Sequence, residues 1–228
     1  MTRGGTVHSM EDERALVAAT CRRLAADGLV IGTAGNVSVR RDDRVAVTAT
    51  GARFETITAD EVTVVDLDGR VRGGGPAPTS EIGLHLGIYQ RFGSGAVVHT
   101  HAPAATAAGL VVDELPCVHY QMLQLGGSVR VAPYALFGSP ELAQAVLAAL
   151  EGRAAALMAN HGAVTHAGDL ASAVEHALLL EWACDLYRRA ASMGRPRALD
   201  SDAQHEVVAA VIARGYGTIH PTATEEPR

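Results

Sequence analysis

The sequence predicts an α/β fold arranged as one domain. Three observations carry that expectation. The chain has 228 residues, which suits one α/β domain with a full hydrophobic core, or at most two small ones. Short apolar runs with period-2 alternation are interspersed with stretches of helical periodicity. No segment reads as a linker long enough to divide the chain, because its glycine and proline clusters fall at turns.

Taken in order, the first helix is expected from Ser9-Met10-Glu11-Asp12, which has a capping-box flavour, to about Asp27, with Gly28 as its stop. Val37-Ser38-Val39 and Arg44 to Thr48 alternate as half-buried strands around an Asp42-Asp43 turn. Glu61 to Leu67 reads as a strand leading into an Asp68-Gly69 hairpin signal. Thr79 or Ser80 is expected to cap a helix reaching about Phe92. Ala96 to His101 is a short apolar strand, followed by a helix from Pro103 to Gly109 and a loop to about Gly127. Val129 to Ala132 and Ala154 to Ala159 read as strands, with a helix opened by Ser139-Pro140-Glu141 between them. Asp169 caps a long helix to about Met193, and Asp200 or Ser201 starts a last one to about Arg214. The core then spans about 10–217, with a tail at 218–228 and an extended arm from Gly215.

Composition excludes several function classes. The chain is 48% hydrophobic and 19% charged with a formal net charge of -6, so the basic face of a nucleic-acid binder is not expected. No apolar run reaches the roughly 18–20 residues that span a bilayer, and Met1 to Gly5 has no signal-peptide core. The three cysteines, Cys21, Cys117 and Cys184, lie far apart and read as buried small hydrophobes in a reducing cytosol. A cytoplasmic protein without membrane or nucleic-acid partners is the expectation. All 19 basic residues are arginine. Without lysine there is no Schiff base and no P-loop lysine. Carbon–carbon chemistry at a carbonyl would need another electron sink, and a metal ion is the obvious one.

His99-Thr100-His101 closes a strand, where residues i and i+2 share a face, so both imidazoles can reach one ion. His161 follows another apolar strand, and Gly162 after it lets the backbone turn. Three histidines with an open fourth position suit a catalytic zinc site. His85 falls one helical turn after Glu81 and can support it from behind, although an ordinary structural role is the stronger reading. Pro78-Thr79-Ser80-Glu81 opens a helix whose N-terminus suits an anion. Gly32 to Asn36 and Thr48 to Gly51 are two more small-residue turns with hydroxyl or amide side chains. Together the three loops can surround a phosphate through neutral donors.

Six ordered segments carry a family resemblance: GTAGNVSVR at Gly32–Arg40, TATG at Thr48–Gly51, PTSE at Pro78–Glu81, VVHTHAP at Val97–Pro103, APYALFG at Ala132–Gly138 and NHG at Asn160–Gly162. Over about Ala15 to Gly217 the chain resembles the class II aldolases of the aldolase/adducin type, most closely those acting on L-fuculose 1-phosphate. The resemblance implies a three-layer α/β/α domain around a mostly antiparallel sheet, assembled as a homotetramer with sites between subunits. It implies Zn²⁺, one per chain, on His99, His101 and His161, with Glu81 beside the metal as acid/base. Asn36, Thr50, Gly51, Thr79 and Ser80 match the phosphate pocket, and Phe137 a pocket aromatic. Tyr120 matches a tyrosine from the neighbouring subunit that handles the proton on the departing aldehyde oxygen. Tyr216 matches a tail tyrosine that closes over the site. The implied reaction is retro-aldol cleavage of a ketose 1-phosphate to dihydroxyacetone phosphate and an aldehyde, through a metal-stabilised enediolate.

Other enzymes share the scaffold. Pentulose-phosphate 4-epimerases commonly carry Asp in place of Glu81 and a different loop in place of His119-Tyr120, so both positions favour the aldolase. A 5-deoxypentose-phosphate aldolase differs only at the aldehyde end. A methylthioribulose-phosphate dehydratase and a sugar-acid decarboxylase are further alternatives. A non-enzymatic adducin-like module would lack the metal histidines.

Overall fold

Strands form where small and branched apolar residues alternate, and the alternation decides which layer each residue enters. The computed structural model describes residues 10–215. Its strands are β1 (Asn36–Arg41), β2 (Arg44–Thr48), β3 (Val62–Asp66), β4 (Ala96–Thr100), β5 (Glu114–Leu115), β6 (Val129–Ala132), β7 (Ala155–Met158) and β8 (Gly162–Ala167). They form an 8-stranded sheet in the order β3-β2-β1-β4-β8-β7-β6-β5. Every neighbouring pair is antiparallel except β6 and β7.

The helices are α1 (Glu11–Ala26), α2 (Ile82–Phe92), α3 (Pro103–Ala108), α4 (Pro140–Ala149), α5 (Leu170–Met193) and α6 (Ser201–Arg214). Two apolar cores separate by strand parity. In β7, Ala155 and Leu157 join the core beneath α1, α3 and α5, while Ala156 and Met158 join the core beneath α2 and α4. In β2, Ala46 enters the first core and Val45 and Val47 the second. Helices therefore cover both faces, and the fold is the expected three-layer α/β/α arrangement around a mostly antiparallel sheet. Among the described residues, no helix is long and apolar enough to cross a membrane.

The differences from the expected elements have local causes. The cap of α1 is Met10, whose side chain makes no capping bond, and Ser9 lies outside the described residues. Neither Thr79 nor Ser80 caps α2; Glu81 holds the cap position and the helix starts at Ile82. The loop expected up to Gly127 contains β5 and a 3-10 segment, Tyr120–Leu125. These pieces are too short to show a period. Strand β8 was not expected, because Asn-His-Gly reads as an exit into a loop. It is a hairpin turn: Asn160 takes φ 55, and Met158 pairs with Gly162 across it. Tyr216 and the tail lie outside the described residues.

Candidate active site

Strand β4 is flanked by β1 and β8, and that pairing assembles the cluster. Asn36 of β1 lies opposite His99, and Thr100 lies opposite Ala163, the second residue of β8. The β7–β8 turn therefore delivers His161 to the end of β4, where His99 and His101 emerge. Close backbone approach fixes two glycines here. A Cβ on Gly162 would sit 2.4 Å from the Thr100 carbonyl oxygen, and one on Gly35 2.8 Å from that of His99. The role expected of Gly162, turning the chain, belongs to Asn160 instead; Gly162 is needed for contact with β4.

His99, His101 and His161 present one ligand atom each, all within 4.8 Å of one another. Their rings meet edge to face with centroids 4.9 Å apart in each pair. His99 Nδ1 donates to the Ala163 carbonyl at 2.9 Å, which aims Nε2 at the cluster, where a bound ion would displace the proton it shares with Glu81. That Nε2 lies 3.1 Å from His101 Nε2. A tetrahedral ion with arms of about 2.0–2.1 Å holds its nitrogens about 3.3 Å apart, so the pair is close to ligand spacing. Burial, with the charges of His99 and His161, pushes His101 down to about 4. Burial and the charge of His99 also lower His161. Both rings therefore keep neutral, metal-competent nitrogens near neutral pH.

Glu81 completes the cluster. Its Oε2 lies 3.2 Å from His99 Nε2 and its Oε1 3.6 Å from His161 Nε2. Oε1 is buried without a hydrogen-bond partner. A buried carboxylate oxygen left unpartnered beside three convergent imidazoles is what a cation site requires, so the residues fit a divalent transition metal. Burial alone would raise the Glu81 carboxyl, but the charge and hydrogen bond of His99, the Asn36 amide and the charge of His161 hold it below the usual carboxylate range. The same carboxylate raises His99 against the burial that would lower it.

The three expected loops meet in one cleft of about 480 Å³ that contains Asn36, Thr50, Gly51, Thr79, Ser80, Glu81, His101, Phe137 and His161. Thr33, Tyr134 and Asn160 line it too, and sequence reasoning did not single them out. Thr50, Gly51 and Ser80 are exposed, whereas Thr79 is buried and its hydroxyl accepts from the Glu81 N–H at 3.3 Å. The Asn36 side chain is also committed: Nδ2 donates to Glu81 Oε2 at 2.8 Å, and Oδ1 lies 2.5 Å from His85 Nε2. Among the described residues, no arginine lines the cleft. Tyr120 does not line it; its ring lies tilted by 34° against His119 with centroids 4.6 Å apart and borders a second groove with Val208 and Val211 of α6.

Comparison with known proteins agrees with this geometry. The profile of the class II aldolase and adducin N-terminal domain matches residues 15–188. A 5-deoxy-D-ribulose 1-phosphate aldolase of Bacillus thuringiensis serovar kurstaki is 34% identical over 91% of this chain and 98% of its own length. An L-fuculose phosphate aldolase of Escherichia coli is 37% identical over 83% of this chain and 88% of its own length. A solved L-fuculose 1-phosphate aldolase superposes with TM-score 0.87 at 31% identity, over 91% of this chain and 100% of that one. The chain belongs to the class II aldolase and adducin N-terminal domain family.

Proposed function

We propose that this chain is a zinc-dependent lyase that cleaves a ketose 1-phosphate to dihydroxyacetone phosphate and a short aldehyde. The observation that carries the reading is the unpartnered, buried Glu81 Oε1 set against His99, His101 and His161 at the floor of a cleft lined by neutral hydrogen-bonding groups. The three imidazoles and the Glu81 carboxylate would hold the ion. When bound, it supplies a Lewis acid for the charge that develops on the ketone oxygen as the C3–C4 bond breaks.

The remaining chemistry falls to the chain. Thr50, Gly51 and Ser80 line the cleft, and we assign the phosphate to the hydroxyls of Thr50 and Ser80 with the backbone N–H groups of Gly51 and Ser80, without a cationic side chain. Thr79 and Asn36 support that wall while also steadying Glu81 through its N–H and Oε2. Loss of the C4 hydroxyl proton lets the C3–C4 electron pair pass toward the ketone and frees the aldehyde. We assign that proton to Tyr120 of a neighbouring subunit in a homotetramer, since Tyr120 stands outside this chain's own cleft. Glu81, after taking up a proton from solvent while Tyr120 returns its own, then delivers it to C3, so that one proton leaves the C4 hydroxyl and one arrives at C3. Phe137 and Tyr134 offer apolar surface for the far end of the sugar.

Relatives named for 5-deoxyribulose 1-phosphate and for L-fuculose 1-phosphate match at 34% and 37% identity. Both substrates end in a methyl group, and we place the physiological substrate in this class of terminally deoxygenated ketose 1-phosphates. The test is dihydroxyacetone phosphate release from a panel of ketose 1-phosphates and their unphosphorylated forms. Release from a phosphorylated deoxyketose is expected. A preference for unphosphorylated sugars or sugar acids would replace this reading with that of a sugar-acid lyase.

A further inference from the structure

A buried polar chain runs away from Glu81 into the layer between β1 and α2. Asn36 and Ser38 are alternate residues of β1 and share a face. Glu81, His85 and Tyr89 are spaced by four on and just before α2, so they also share a face. Four helical residues rise about 6 Å, and two strand residues about 6.6 Å. The two ladders keep step and interleave. Glu81 Oε2 accepts from Asn36 Nδ2 at 2.8 Å, and Asn36 Oδ1 meets His85 Nε2 at 2.5 Å. His85 Nδ1 meets Ser38 Oγ at 2.6 Å, which meets the Tyr89 hydroxyl at 2.6 Å.

The direction of every bond follows from its carboxylate end. A carboxylate only accepts, so Asn36 turns its amide nitrogen to Glu81 and its oxygen to His85. An amide oxygen only accepts, so His85 Nε2 carries the hydrogen. Burial, then the charge of His99, pushes His85 down to about 3 against the pull of Glu81, so the ring is neutral near pH 7. Nδ1 of a neutral ring protonated at Nε2 is an acceptor. Ser38 must donate to it, and Tyr89 must donate to Ser38. One arrangement satisfies all five groups.

We propose that His85, locked as the Nε2–H tautomer by Ser38 and Tyr89, is a positioning residue that orients the Asn36 amide and thereby fixes Glu81 with Oε2 tied down and Oε1 free. Of the relay only Glu81 and Asn36 line the cleft, so His85, Ser38 and Tyr89 act through them. The inference rests on the aldolase reading for its kinetic consequence but not for its tautomer.

The tautomer is read first, from ¹⁵N-detected imidazole NMR of the full-length wild-type protein near neutral pH. A directly bonded hydrogen on His85 Nε2 and a bare Nδ1 are expected. A hydrogen on Nδ1, or on both nitrogens, overturns the proposal whatever the enzyme's activity. The kinetic arm uses the ketose 1-phosphate that the wild type cleaves. Supporting residues of this kind typically contribute about 10–100-fold, so His85→Phe should lower kcat by that factor with little change in KM. His85→Gln, whose amide nitrogen can again donate to Asn36, should recover most of the loss. Ser38→Ala removes both hydrogen bonds of the Ser38 hydroxyl, to His85 Nδ1 and from Tyr89, and should lower kcat roughly 2–10-fold. Wild-type kcat in folded His85→Phe overturns the proposal, as does equal loss in His85→Phe and His85→Gln, which would mark a packing role. If His85→Phe does not fold, wild-type kcat in Ser38→Ala overturns it. A wild type that cleaves no ketose phosphate defeats the aldolase reading instead and leaves the tautomer result standing on its own.

Discussion

Glu81 is the residue on which the site turns. One of its oxygens is held by Asn36, and the other is buried and unpartnered beside His161. As the proposed proton carrier, Glu81 should be replaceable in shape but not in chemistry. Glu81→Gln is expected to fold and to lose roughly 10²–10⁴ in turnover; a wild-type rate in the folded variant would assign the proton to another group. Ser80, exposed in the cleft, tests the phosphate. A hydrogen bond to a charged group is worth enough that Ser80→Ala should raise KM for the phosphorylated ketose roughly ten-fold, with little effect on slow turnover of the unphosphorylated sugar. Equal effects on both substrates would show Ser80 serving the α2 start instead. Thr79→Ala should be the more mixed variant, because its hydroxyl also accepts from the Glu81 N–H. At this scale the sequence was most legible: the histidines, Glu81 and the small-residue turns announce themselves by type and spacing. The commitments of Asn36 and Thr79 to Glu81 were not legible, since they depend on distances between strands and helices remote in sequence.

At the scale of elements, the register between β1 and α2 is the feature that sequence patterns conceal. Each contributes polar residues to an otherwise apolar layer, and a reading by hydrophobic period treats them as interruptions. Glu81-x3-His85-x3-Tyr89 and Asn36-x-Ser38 were visible as spacings, but nothing local said that the two ladders face each other. Strand β8 was hidden for a related reason: the turn that precedes it is made by Asn160 at φ 55 rather than by a glycine. The buried relay has a consequence for stability. His85 is lowered from 6.5 to about 3, by burial first and then the charge of His99. Between those values the unfolded chain binds a proton that the native fold refuses, so stability rises with pH across this window and is lost as pH falls through it. His85→Gln should flatten that slope in Tm measured against pH; an unchanged slope would place the acid sensitivity elsewhere. The strand contact at Gly35 gives a second check. It holds φ 91 with no room for a Cβ against the His99 carbonyl, so Gly35→Ala should destabilise the fold and disturb the histidine cluster together. Tm and metal content measured on one preparation would show whether the two fall in step.

For the whole molecule, the layer order and the two cores place the cleft at one end of β4, where β1, β8 and the α2 start converge. The α/β class followed from composition and alternation, and the three-layer form from the family resemblance. What a single chain leaves apart is Tyr120, which borders the α6 groove rather than the cleft. If a neighbour's cleft is its destination, mixed assemblies of Tyr120→Phe and His99→Ala subunits should regain activity that neither variant has alone, because some interfaces then combine an intact metal set with an intact tyrosine. Verified hybrids without recovery would mean that each site is complete within one chain. The central claim is that His99, His101 and His161 hold an ion without which no ketose phosphate is cleaved, and metal exchange tests it most directly. Dihydroxyacetone phosphate release is followed from the as-purified protein, after chelation and after return of Zn²⁺, with His161→Ala treated alongside. Loss on chelation, recovery on return and neither stable metal retention nor recovery in His161→Ala are the expected results; full turnover by wild-type protein shown to be free of metal would contradict the account.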